Sequence, residues 1–177
     1  MDGSDRLRLF CALRLAEDVL DAVVPWQERE LRGGRLVPRE NLHLTLAFLG
    51  SQAATDAPAI AAALGDAAAE ATGLRFRLHG YRETRSVGML RFDDVGGRGA
   101  ALAGRLFGSL EALGVYRRED RPWLAHLTVL RFRDRPRLRP PLPELGEVVP
   151  SDAAVFISRL RPGGAQYEAF QAVPLGG

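Results

Sequence analysis

From Arg6 to Leu15 the chain reads RLRLFCALRL, where charged and apolar positions partly alternate, and this predicts a first strand. After Ala16-Glu17-Asp18 the spacing changes to three and four. Val19, Leu20, Val23, Val24, Trp26, Gln27 and Leu31 fall on one stripe, which predicts a helix to about Arg32. Pro25 inside it is expected to kink or shorten it, and Gly33-Gly34 to end it. Arg35 to Val37 reads as a short strand, 38–41 as a turn, and Leu42 to Leu49 as a strand closed by Gly50-Ser51. The alanine-rich stretch from Thr55 to Ala71 predicts a second helix, stopped by Gly73. Strands follow at Leu74–Glu83 and Val87–Phe92, then a helix at Gly99–Leu113 with Leu102, Leu106, Leu110 and Leu113 on one side. A further strand is expected from Trp123 to Phe132. The five prolines between Arg133 and Pro150 predict a loop or short helix. Ala153–Arg161 and Gln166–Val173 complete the set as a hairpin about Pro162-Gly163-Gly164.

Within this order one pattern occurs twice. His43-Leu44-Thr45-Leu46 returns 83 residues later as His126-Leu127-Thr128-Val129, using two of the three histidines in the chain. On a strand, successive side chains face opposite ways, so each copy puts His and Thr on one face and two apolar residues on the other. Each copy follows a helix, and no low-complexity linker divides the chain. The expected architecture is therefore one bilobed α+β unit over residues 1–177, pseudo-symmetric, with two antiparallel sheets flanked by helices and a central cleft.

Composition adds limits. The chain is 46% hydrophobic and 26% charged, as soluble globular chains are, and its apolar runs are too short to span a bilayer. The polar opening Met1 to Arg8 shows no secretory leader, and a cytoplasmic location is expected. Cys11, the lone cysteine, sits in an apolar run and is expected to be a buried thiol. The net charge is only +2, all basic side chains are arginine, and eight of them lie between Arg117 and Arg139 against three acids. This cluster brackets the second histidine pattern. A basic rim around a histidine cleft suits a phosphate-bearing partner.

Two imidazoles on facing strands meet the demand of in-line displacement at phosphorus, where the base and the acid stand on opposite sides. An ordinary imidazole pKa near ~6.5 allows either role at neutral pH. Thr45 and Thr128 can donate hydroxyls to phosphate oxygens. Arg131 lies five residues after His126, on the wrong alternation parity, and needs a bulge or a strand end to reach the cleft. The matching residue of the first copy is Phe48, either core packing or one wall of a nucleobase pocket. Neither copy has a carboxylate within its four residues, so no metal ligand set is expected. No G-x-S-x-G elbow and no P-loop occurs, so neither a serine triad nor ATP or another cofactor is expected. His79 has no threonine partner and reads as a surface or structural residue, and Trp26 and Trp123 as core.

Pro38 to Gly50 (PRENLHLTLAFLG) and His126 to Arg131 (HLTVLR) resemble the two signatures of the two-histidine (2H) phosphoesterases. The branch they resemble is the RNA 2′,3′-cyclic phosphodiesterases, formerly called 2′-5′ RNA ligases and typified by LigT. Arg8 to Leu13 is similar to the family's first strand, and Ser158 to Tyr167 to its final hairpin. The resemblance implies a metal-independent enzyme that opens a terminal 2′,3′-cyclic phosphate on RNA to a 2′-phosphomonoester, with reversible 2′–5′ joining as a side activity, and a monomer is expected. It implies His43 as the acid toward the departing 3′ oxygen and His126 as the base that activates water. Thr45, Thr128 and Arg131 would hold the phosphate. Leu36 stands where the family often has an aromatic residue, and Ala125 where it often has proline. Small cyclic nucleotides, ADP-ribose cyclic phosphate and 2′–5′ oligoadenylate are alternative substrates for the same site. A non-catalytic module that binds RNA ends is the alternative outside enzymes.

Overall fold

The computed structural model describes residues 5–177, and the opening Met1–Ser4 lies outside the described residues, as does its part in the expectation of no leader. Nine strands and three α-helices form two antiparallel sheets among the described residues. In chain order they are β1 (Arg6–Arg14), α1 (Glu17–Glu30), β2 (Arg35–Leu36), β3 (His43–Ala53), α2 (Ala57–Ala69), β4 (Phe76–Glu83), β5 (Val87–Asp94), α3 (Arg98–Ala112), β6 (His126–Arg131), β7 (Glu147–Val148), β8 (Asp152–Arg161) and β9 (Gly164–Val173). One sheet runs β3-β1-β8-β9 and the other β2-β6-β5-β4-β7. Each lobe thus carries one histidine strand, and β3 and β6 come into contact across the cleft. The architecture is the bilobed α+β fold that the doubled pattern predicts.

One apolar cluster runs through both sheets. Leu9, Cys11 and Leu13 of β1 enter it together with Leu44, Leu127 and Val129, the apolar backs of the two histidine strands. Helices α2 and α3 add Ile60, Leu64, Leu102, Leu106 and Leu110. Burial pushes the Cys11 thiol up to about 12, as befits an inert core side chain. The other face of β1 is covered too: Phe10 and Ala12 pack with Ala154 and Phe156 in a separate small cluster on the cleft side. No described helix is long and apolar enough to cross a membrane.

Three local expectations change, and a fourth, left between loop and short helix, is decided. Pro25 does not shorten α1, which runs to Glu30. Pro25 and Asp21 are both exposed, so the carbonyl four residues back, which loses its backbone donor, faces water. Gly50 does not end β3. At a φ of +68° it carries the strand around a bulge, and pairing with β1 continues to Ala53. Conversely, β6 begins at His126 and not at Trp123, because Trp123 turns inward and its indole N–H donates to the Thr45 carbonyl at 3.0 Å. The proline-rich stretch forms no helix. It is an extended loop containing β7, pinned from inside by Glu83, whose side chain is 2% exposed. That carboxylate accepts from the N–H groups of Arg137 (2.8 Å) and Leu138 (2.9 Å) and from the Tyr81 hydroxyl (2.8 Å). The Trp26 indole N–H holds the same loop through the Pro141 carbonyl at 2.7 Å.

Candidate active site

The six residues singled out from the sequence come together. His43, Thr45, Phe48, His126, Thr128 and Arg131 all line one cavity of about 120 Å³, the size of a phosphate group and little more. Asn41 and Tyr167 complete much of its wall. A larger hollow of about 750 Å³ lies away from it, near the C-terminus, with Arg75 and Asp152 its only charged side chains. Those two are paired with Glu147 and Arg14.

Two bulges explain why Phe48 and Arg131 share the cleft with residues of opposite parity. In the β1–β3 ladder, Ala12 pairs with Thr45 and Cys11 with Ala47, so Leu46 is the extra residue. In the β5–β6 ladder, Met89 pairs with Thr128 and Gly88 with Leu130, so Val129 is extra. At each bulge two consecutive apolar residues point into the core (Leu46-Ala47 and Val129-Leu130), and the next side chain returns to the cleft. Phe48 in one strand and Arg131 in the other are therefore equivalent in place and opposite in chemistry. The second bulge is secured by a residue outside the motif. The Val129 carbonyl accepts from the Val37 N–H (3.1 Å) and from Nε2 of the buried Gln27 (2.9 Å).

The imidazoles are held alike. His43 Nδ1 donates to the Asn41 carbonyl at 2.7 Å and His126 Nδ1 to the Leu124 carbonyl at 3.1 Å. In both rings this places the proton of the neutral form on Nδ1 and leaves Nε2 for the cleft. Their surroundings differ. Phe10 lies over His43 with centroids 4.9 Å apart, and Tyr167 meets it edge-on at 5.4 Å. The Thr45 hydroxyl donates to His43 Nε2 at 2.9 Å. Burial under this cover draws His43 down to about 4, against its bond to the Asn41 carbonyl, and the charges of Arg131 and His126 lower it further. His43 is therefore neutral in the ligand-free cleft at pH 7. The role of acid implied by the resemblance requires a proton that an arriving phosphate anion must stabilise.

Phe10, Asn41, Phe156, Tyr167 and Gln27 contribute to the site without having been singled out for it. The only hint was that the run Leu9 to Leu13 is apolar on both faces of its strand. The arginine-rich stretch does not act as one rim. Arg131 reaches the cleft, but Arg118 is engaged by Glu111 at 2.7 Å and Arg135 by Glu83 at 3.4 Å. His79 is exposed on β4 beside Asp93, away from the cleft. Among the described residues no three His, Cys, Asp or Glu side chains gather as a metal ligand set.

Residues 13–85 match the LigT like Phosphoesterase family. A segment of 45 residues is 40% identical to the RNA 2′,3′-cyclic phosphodiesterase of Methanocaldococcus jannaschii, a match spanning 25% of this chain and 26% of the relative. The crystal structure of TT0787 from Thermus thermophilus is similar over 97% of this chain and 99% of its own, at 31% identity and a TM-score of 0.80. E. coli LigT shares the fold as well. Its complex with 3′-AMP superposes over 98% of this chain and 100% of its own, with 23% identity and a TM-score of 0.85. Its apo form is 25% identical with a TM-score of 0.80, over 97% of this chain and 99% of its own. Family match, sequence kinship and fold agree, and the chain belongs to the LigT-like branch of the 2H phosphoesterases.

Proposed function

We propose that the protein hydrolyses the 2′,3′-cyclic phosphate at the end of an RNA chain to a 2′-phosphomonoester, without a metal, using His43 and His126 as an acid/base pair. The observation that carries this reading is the pairing of two imidazoles around one phosphate-sized cavity, each with its Nδ1 committed to a backbone carbonyl. His126 takes a proton from water as the water oxygen bonds to phosphorus. The P–O3′ bond breaks on the far side, and His43 gives its Nε2 proton to the departing 3′ oxygen. His43 acquires that proton with the substrate, because the anion sets a negative charge against a site otherwise flanked by Arg131 and His126. Thr45, Thr128 and the Arg131 fork hold the non-bridging oxygens as charge grows there. Phe48, 53% exposed at the rim with the Arg8 guanidinium 5.2 Å from its ring centre, offers a face to the terminal base. A 5′-hydroxyl in place of water would give a 2′–5′ linkage by the same displacement, which accounts for reversible joining as a side activity.

The kinship with a named RNA 2′,3′-cyclic phosphodiesterase and the likeness to a LigT crystallised with 3′-AMP support a nucleotide-end substrate. The test is incubation in EDTA with a short RNA ending in a 2′,3′-cyclic phosphate, beside His43→Ala and His126→Ala. The expected result is a 2′-phosphate, formed by the parent and lost in both variants. Turnover that EDTA abolishes, or that survives both substitutions, would overturn the mechanism.

A further inference from the structure

The phosphate-sized cavity adjoins a second one of about 520 Å³, and the two share Thr45, Phe48, His126 and Thr128 as walls. The mechanism above leaves this second space unused. Its volume is within the range that holds a small ligand, and its lining has two chemical parts. One is aromatic: Phe107 and Tyr116, with ring centroids 5.1 Å apart, and Trp123, with Phe48 at the shared boundary. The other is cationic and comes from the sheet. Arg91 stands on β5 directly opposite His126, and Arg82 on β4 directly opposite Met89, the partner of Thr128. Strands lie about 4.8 Å apart, so the two guanidinium stems step away from the histidines by about one strand each. Neither Arg82 nor Arg91 pairs with a carboxylate among the described residues. The one acid of this lining, Glu119, is held by Arg121 at 2.5 Å.

We propose that this second cavity seats the nucleotide on the 5′ side of the reacting end, so that the enzyme prefers a single-stranded oligonucleotide to a mononucleotide cyclic phosphate. The proposal rests on the phosphodiesterase reading of the adjoining site. The phosphodiester that joins the last two nucleotides lies on Arg91 and Arg82, and the base 5′ to it stacks among Phe107, Tyr116 and Trp123. Aromatic stacking with arginine on the backbone binds single strands with little regard to base. The preference is accordingly one of length and charge, weakened by salt, and not of sequence.

The experiment compares kcat/KM for a mononucleotide 2′,3′-cyclic phosphate and for a trinucleotide with the same end, in the parent and in Arg82→Gln, Arg91→Gln and the double variant. A competition assay runs beside it, in which a 3′-phosphorylated mononucleotide and trinucleotide displace a labelled RNA without any turnover. The parent is expected to favour the trinucleotide by about tenfold or more, the scale of one stacked base. The double variant should bring that ratio near one, in rate and in competition alike. A parent ratio near one, or a ratio that the double variant leaves intact, overturns the subsite. If neither substrate turns over, the hydrolysis reading has failed, and the competition ratio still decides whether the second cavity binds the upstream nucleotide.

Discussion

The cover over His43 has a consequence for folding that can be measured without any substrate. An imidazole that titrates near ~6.5 in the unfolded chain is drawn to about 4 in the folded one. Between those values the unfolded state holds the extra proton, so stability falls as pH falls, from intact above pH 7 to fully lost below pH 4. The ceiling on that loss is about 3 kcal/mol, and the part that develops between pH 7 and pH 5 is about 2 kcal/mol. The ring keeps some exposure to solvent, which reduces the expected figure to between about 1 and 2 kcal/mol. Urea unfolding of the parent and of His43→Gln at the two pH values isolates the effect, because the other titrating groups are common to both. The parent should lose about 1 to 2 kcal/mol more than the variant on going from pH 7 to pH 5. Equal losses, or a His43 ring resonance that titrates near 6.5 by NMR, would refute the account of a desolvated imidazole.

Other perturbations test the remaining links. Arg131→Gln removes a cation that lowers His43, so the His43 titration should move upward by NMR while kcat/KM falls by roughly tenfold to a hundredfold for loss of the phosphate fork. A substrate with sulfur in place of the bridging 3′ oxygen has a leaving group that departs unprotonated. It should restore most of the roughly hundredfold or greater rate loss in His43→Ala and none of that in His126→Ala, and the reverse pattern would exchange the two roles. Burial alone would raise the Glu83 carboxyl, yet donors from Leu138, Tyr81, Arg137 and Arg135 hold it below the usual range. Glu83→Ala leaves those donors unpaired around a void and should cost about 3 kcal/mol or more by urea unfolding. Gln27→Leu deprives the Val129 and Val37 carbonyls of a donor and should cost about 1 to 3 kcal/mol, with a drop in kcat as Arg131 loses its bulge support.

What was legible in the sequence followed from strict periods. His-x-Thr twice over, with apolar residues between, is enough to place two side chains of each copy on a cleft and two in a core. Two of the three helices likewise needed only their spacing, and the second its run of alanines. What the period could not supply was the place where it breaks. Counting by two from His126 puts Arg131 behind the sheet, and only the extra residue Val129 brings it forward. A bulge depends on the partner strand, and here on Gln27, which lies 102 residues away in sequence and reads locally as one more position on a helical stripe. The Glu83 anchor was hidden for the same reason, since its donors Arg137 and Leu138 sit more than 50 residues later, in a stretch whose prolines suggest only a loop.

The same contrast explains how two nearly identical strands come to hold their histidines in different surroundings. Their motifs share His, Leu and Thr in order, and both imidazoles use Nδ1 in the same way. The difference arises from what faces them. β3 is an edge strand whose neighbour β1 brings Phe10 over the His43 ring, with Phe156 and Tyr167 of the next two strands closing the cover. β6 lies inside its sheet, and its neighbour β5 sets Arg91 opposite His126, with no aromatic ring stacked on that imidazole. One histidine therefore has its proton affinity set by aromatic burial and the other stands among arginines at an open wall. A duplicated motif gives the cleft its symmetry, and the unlike neighbours, Phe10 stacked on one imidazole and Arg91 paired across the sheet from the other, give its two walls different surroundings.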